Sequence, residues 1–484
     1  MSILDHPIKP GSLPNRWKIL PVMLLSSFMG SLDGSIVNVA LPTIAKNLGV
    51  GMDGVQWTVS IYLMVVSALV LVFGKIGDLL GKKGVFILGF LIFGLGSLFC
   101  ALSWCLPILV VARAFQAVGA AMFMATNQGL IVSTFPPNER GRALGFLGTM
   151  VAFGTMIGPP LGGVMVEFLG WQSLFLINIP ISIFAFVAGA RMIPGEERKG
   201  TLAGFDLPGS LLFIAFVLGL FYYLLNGQEL GWSAPTNLAS AGLAAIVLVV
   251  FLIRELRAER PMIDLSIFRS SLFSVSIICV VFVYCALFCM NIIQPFYLQD
   301  LLGLSPALAG LVLLASPLLS GMTAPFAGYL ADKAVPELVS LGALVIELAA
   351  LAGMCFLGAH SSPLMACSWL ALFGIGQGAF NSPNTKLIMA FAPRDKMGIA
   401  GSVNALGRNM GMVSGIALAV SILYGVMSSV LGRKVTGYAA GEDAAFISGM
   451  RAAYVAATGL LAVAILLTAL RALKSRMTVR QPAI

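Results

Sequence analysis

The chain alternates long apolar runs with short polar turns. Runs long enough to cross a bilayer, about 20 residues each, lie at 18–41, 55–79, 84–102, 106–132, 143–166, 172–193, 207–226, 237–256, 271–298, 306–331, 338–358, 363–388, 400–426 and 448–470. A helix satisfies its own backbone inside lipid, so each run predicts a membrane helix. Fourteen spans put both ends of the chain on one side. Of the 29 Lys and Arg residues, 23 fall on the side that holds the ends and the turn Gly74–Lys83. Lys46, Arg433, Lys434 and Arg451 fall on the other, and Arg113 and Arg408 lie within spans. This bias predicts cytoplasmic ends.

Composition agrees. Of 484 residues, 59% are hydrophobic and 10% charged, against roughly 25% charged in soluble domains. The expected fold class is an all-α polytopic membrane protein. The net charge of +9 sits in loops between spans, which is topology information, so no nucleic-acid partner is expected. The seven cysteines lie mostly in spans or at their ends; Cys100 and Cys105 flank one short outer loop and are read as thiols. His6 and His360 are too few and too far apart for a metal site. With no H-E-x-x-H and two histidines in all, nothing points to a membrane enzyme. Gly77–Lys83 lacks the spacing of a nucleotide loop, which excludes ATP-driven pumping. A receptor would need a soluble signalling domain, and the polar stretches are too short for one. The first run contains Asp33 and reads as a retained helix rather than a cleaved signal.

The chain repeats itself. The turn Gly74-Lys-Ile-Gly-Asp78-Leu-Leu-Gly81-Lys82-Lys83 follows the second span, and Gly328-Tyr-Leu-Ala-Asp332-Lys333 echoes it after the tenth. Residues 137–145, with Arg140 and Arg142, precede the fifth span as 393–401 precede the thirteenth. Two six-helix bundles are expected, at 1–193 and 265–484, joined by a linker at 194–264 that carries two inserted helices.

Polar residues inside spans are the candidate chemistry. Asp33 lies deep in the first span, where a carboxylate costs about 2.5–3.5 kcal/mol on insertion scales and tends to face a cavity or a partner. Arg113 and Gln116 share a face of the fourth span at i, i+3, and Asp33 is the nearest counter-charge. A proton-coupling pair and a purely structural one both remain open. Tyr284, Asn291 and Gln294 on the ninth span, and Gln377, Asn381 and Asn384 on the twelfth, read as stripes. With Asp33, Asn38, Arg113 and Gln116 they are expected to line one central substrate cavity. Glu347, midway along the eleventh span, reads as a structural residue or a second proton site. Arg408, with Asn404 and Asn409, reads as an anion site or a gate brace. Gly154, Gly158 and Gly162, with Pro159 and Pro160, give the fifth span a small-residue face. Pro317, Gly321, Pro325 and Gly328 answer on the tenth. Both faces are expected along an interface between the halves.

These segments carry a resemblance. Gly74–Lys83 resembles the major facilitator loop motif G-x-L-A-D-R-x-G-R-K. Arg113-x-x-Gln116 resembles the fourth-helix R-x-x-Q-G motif, and Gly154 to Gly163 resembles the fifth-helix G-x-x-x-G-P-x-x-G-G motif associated with antiporters. Leu32 to Pro42, Trp171 to Pro180, Phe205 to Gly209 and Pro295 to Gln299 are similar to segments of the fourteen-span drug:proton antiporters. Leu79 stands where the loop motif has arginine, and Ala117 where the fourth-helix motif has glycine. The resemblance implies the major facilitator fold and alternating access about a midplane site. It implies a monomer in the cell membrane that exports small amphipathic compounds in exchange for protons, without a cofactor. A substrate:proton symporter or a lipid or metabolite exporter is the alternative within the fold. The resemblance places Asp33 and Arg113 in proton coupling. Gating would fall to Gly74, Asp78, Gly81, Lys82, Lys83, Arg140, Arg142, Asp332, Arg408 and the fifth-span glycines, with Asp78 facing the start of the thirteenth helix.

Overall fold

Apolar sequence at bilayer depth leaves helices as the way to satisfy the backbone, and a computed structural model shows them. It describes residues 16–194, 205–232, 234–258, 265–333, 335–391, 397–435, 437–438 and 441–479. Side chains at 137–138, 140–141, 228–230, 332, 397–399 and 474–479 lie outside that description. Among the described residues, fourteen helices are long and apolar enough to cross a membrane, as the hydrophobic pattern predicts.

The first six are α1 (Arg16–Leu48), α2 (Trp57–Leu80), α3 (Lys82–Ala101), α4 (Leu106–Thr134), α5 (Pro137–Leu169) and α6 (Asn178–Met192). The inserted pair is α7 (Leu207–Leu230) and α8 (Pro235–Arg257). The last six are α9 (Ser271–Phe296), α10 (Ala315–Lys333, preceded by a short helix Pro306–Leu313), α11 (Pro336–Met354), α12 (Pro363–Phe391), α13 (Met397–Leu431) and α14 (Asp443–Val479). Ends follow local chemistry. Gly81, at φ +100°, makes the turn between α2 and α3, a backbone state that favours glycine. Ser270 caps α9 by accepting the Phe273 N–H. At the other end of α9, Pro295 lacks an N–H, and the chain widens into a π-helical turn at Tyr297–Leu301.

Two units emerge. The first comprises residues 1–50, 54–220 and 240–262, the second 51–53, 221–239 and 263–484. In the first, the glycine face of α5 packs on α1. A Cβ on Gly154 would lie 2.7 Å from the Phe28 carbonyl, and one on Gly162 would lie 2.9 Å from that of Ile36. Small residues let backbones approach where lipid supplies no hydrophobic drive. The second unit repeats this contact with glycines the sequence reading passed over. Gly407, Gly411 and Gly415 of α13 lie against α9 at Ile277, Val281 and Cys285. The tenth-span set serves a different contact, with Gly328 facing Ser382 of α12. The first unit also has an aromatic core, in which Phe90 stacks on Phe123 at 5.1 Å and Phe93 meets the same ring edge-on.

In the inserted pair, Asp206 accepts from the Gly209 N–H ahead of α7 and from Arg254 at the end of α8. Burial pushes the Asp206 carboxyl up, but the Arg254 and Gly209 bonds outweigh it and hold it below the usual carboxylate range.

Candidate functional site

The densest polar node lies inside the first unit. Asp33 is 0% exposed, Arg113 1%, Gln116 0% and Asn178 1%. Arg113 Nη1 donates to Asp33 Oδ2 at 2.6 Å and to Gln116 Oε1 at 2.6 Å. The Gln116 amide donates to Asp33 Oδ1 at 3.0 Å and to Ser97 Oγ at 2.8 Å. Asn178 adds a third donor to the carboxylate, on Oδ1 at 3.1 Å. Arg113 Nε donates to the Thr58 carbonyl at 3.0 Å, and the guanidinium lies 4.4 Å from the Tyr62 ring centroid, a cation–π contact. Five helices, α1, α2, α3, α4 and α6, thus close around one ion pair. Each Asp33 oxygen has a donor, and the acid and the permanently charged arginine cancel.

The structure brings Asp33, Arg113 and Gln116 together and buries them inside the first unit. Asn38, on the same helix, is half-buried. Asn178 went unread: it is a single amide within the sixth span, with no stripe to mark it.

In the second unit, Tyr284 donates to Asn381 Oδ1 at 3.2 Å, joining α9 to α12. Asn291 is half-buried and Gln377 nearly buried. Gln294 leaves this stripe. Ten residues beyond Tyr284, at 3.6 per turn, it sits about 80° round the helix, and it donates to Tyr454 of α14 at 3.0 Å. Glu347 is 0% exposed, and among the described residues neither carboxyl oxygen is hydrogen-bonded. Gly376 of α12 packs against it, and a Cβ there would lie 2.6 Å from Glu347 Cγ. Arg471, counted from the sequence among the basic residues outside the spans, is 2% exposed inside α14. It donates to Ser276 Oγ at 2.8 Å and to Asn384 Oδ1 at 3.0 Å. The misreading has a simple source: an arginine one residue past an apolar run looks like a loop.

The turn motif is also local. Asp78 pairs with Lys82 at 2.9 Å, and the Lys82 stem lies on Gly129 of α4. The expected partner of Asp78, at residues 398–401, begins outside the described side chains, as do Arg140 and Asp332. Gly74 has open space beside it, and Lys83 is half-buried. Arg142 stacks on Trp17 at 4.8 Å. Beside it, Arg16 grips Glu139 with two bonds of 2.8 Å. That grip holds the Glu139 carboxyl below its ordinary value. Arg408 is half-buried, with no hydrogen bond or ion pair among the described residues.

The model of the Major Facilitator Superfamily matches residues 23–415 and 276–482 of this chain. The chain belongs to the Major Facilitator Superfamily. It is a multi-pass membrane transporter rather than an enzyme. Among curated relatives, the riboflavin transporter RibZ of Clostridioides difficile is 38% identical over 405 residues, 84% of this chain and 88% of that protein. The multidrug resistance protein Stp of Mycobacterium tuberculosis is 32% identical over 424 residues, 86% and 78% of the two chains. A bacterial homologue of the human lysosomal transporter Spinster shares the fold, with a TM-score of 0.68 at 16% identity over 98% of this chain and all of that one.

Proposed function

We propose that this transporter exports small amphipathic compounds across the cell membrane in exchange for protons, by alternating access, with both ends of the chain cytoplasmic. The observation that carries this reading is the sealed Asp33–Arg113 pair. A buried ion pair is a poor source of stability, and an ionisable residue inside a membrane span usually serves function. A proton arriving on Asp33 removes half of the pair. It leaves Arg113 charged, with Gln116 Oε1 and the Thr58 carbonyl as its remaining acceptors, and so makes the packing of five helices depend on one proton. A proton moving down 100 mV supplies about 2.3 kcal/mol, enough to bias such a switch. The protein acts as a monomer, driven by the proton gradient alone and without a cofactor. Glu347 is the second candidate proton site. The half-buried polar residues Asn38, Asn291 and Asn381, with Tyr284 and Gln377, are the proposed cargo contacts.

The similarity to a riboflavin transporter favours a second reading, in which the cargo is a planar metabolite such as a flavin. Both are tested with purified protein in proteoliposomes under an imposed pH gradient, loaded with ethidium or with riboflavin. Uphill movement that a protonophore abolishes is expected for at least one. Movement that needs ATP, or that ignores the protonophore, would overturn proton coupling.

A further inference from the structure

Arg471 is a buried guanidinium with two of its five N–H donors in use. Nη1 is held by Ser276 of α9 and Asn384 of α12, and Asn384 is itself fixed by donating to the Ser276 carbonyl at 3.4 Å. Nε and Nη2 have no acceptor among the described residues. These two nitrogens share one edge of the planar group, and their N–H bonds run side by side, a fork that fits two oxygens of one anion. The molecule shows that edge in use elsewhere. Arg16 places Nε and Nη2 on the two oxygens of Glu139, and Arg254 directs the same pair to Asp206. At Arg471 the edge is open.

Among the described residues, no carboxylate closes it. Glu337, in the first turn of α11, is near enough for its charge to act on Arg471 but forms no hydrogen bond with it. Cys279 and Thr468 pack beside the arginine and bond to each other. The side chains that grip Arg471 are therefore neutral, although a charge taken out of water needs a counter-charge or a full set of bonds. Its position suits an incoming ligand. Arg471 lies two residues before the end of the span Asp443–Leu473. Ser276 lies near the start of α9, just after Arg269, and Asn384 lies in the last two turns of α12. All three lie near the basic end of the second unit.

We propose that Arg471, positioned by Ser276 and Asn384, is the binding group of an oxyanion site, taking a carboxylate or a phosphate ester on its Nε/Nη2 edge. The negative charge of Glu337 opposes the incoming anion. The chemistry is shared by two sources, the phosphodiester of an anionic lipid and a soluble carboxylate or phosphate. The site is independent of the proton reading of Asp33.

The full-length protein in neutral detergent tests this by thermal unfolding. One arm adds phosphatidylglycerol against phosphatidylcholine; the other adds sodium acetate or phosphate against chloride at equal ionic strength. At least one arm is expected to raise the melting temperature of the wild type by several degrees, saturably. Arg471→Gln should abolish the shift, Arg471→Lys should keep less than half of it, and Glu337→Gln should enlarge it. If Arg471→Gln does not fold, Asn384→Ala, which loosens the arginine without removing its charge, should weaken the saturable response. No shift in the wild type from either source, or equal shifts in wild type and Arg471→Gln, would overturn the site. So would Glu337→Gln abolishing the shift, since Glu337 would then be part of what holds the arginine.

Discussion

Asp33 and Glu347 are both carboxylates with no exposed surface, one in each unit. Asp33 has donors on both oxygens and an arginine against it; Glu347 has neither. The arginines differ in the same way. Arg113 is neutralised by its acid, whereas Arg471 is held by a hydroxyl and an amide. Burial alone therefore says little about what a charged group does. The first unit has closed its charges into a neutral node that a single proton can upset. The second leaves an acid and a base apart, each with polar atoms unbonded among the described residues.

The contrast can be broken at its strongest point. Arg113→Ala strands Asp33 in the bundle and should cost about 3–5 kcal/mol, read as lost thermal stability or lost folded yield. Adding Asp33→Asn should recover a good part of that. If Arg113→Ala costs no more than a surface substitution, the node is not the closed pair described. Next come the glycine contacts. Gly158→Leu on α5 and Gly415→Leu on α13 should each cost about 1–3 kcal/mol through overpacking. Damage confined to one would show that the two units are not held together alike. Glu347→Gln should be mild, on the order of 1 kcal/mol or less, because the carboxyl makes no bond for the amide to forfeit. A large loss there would reveal a partner for Glu347.

The smallest effect is at the surface. Glu139 is held below its ordinary range by Arg16, so its contribution is present at neutral pH. That contribution should disappear as the pH falls through the depressed folded-state value. Amide exchange at the starts of α1 and α5 should separate wild type from Glu139→Gln at pH 7 and merge them in strong acid. Equal exchange at pH 7 would remove the clamp from the account.

Much of this was legible because each span is a separate apolar run. Asp33, Arg113 and Gln116 were also legible, since charges and amides inside such runs stand out. The residues that were missed have separate causes. Asn178 lies inside the run 172–193, with no second amide or charge one turn away to make a stripe of it. Arg471 lies one residue past the run 448–470, and there a polar residue reads as loop until the helix is seen to continue. Gln294 was assigned to the wrong face by counting positions without following the turn of the helix. The α13 glycines repeat the spacing of the α5 set, but the search for a counterpart went to the proline-rich tenth span, and sequence spacing does not say which helix is opposite.

The most direct test of the central claim separates exchange from uphill transport in Asp33→Asn. In proteoliposomes, labelled cargo is first equilibrated without a gradient and then driven by one. The account predicts that the variant still exchanges cargo but no longer accumulates it when a pH gradient is imposed. Gradient-driven accumulation equal to the wild type would contradict it.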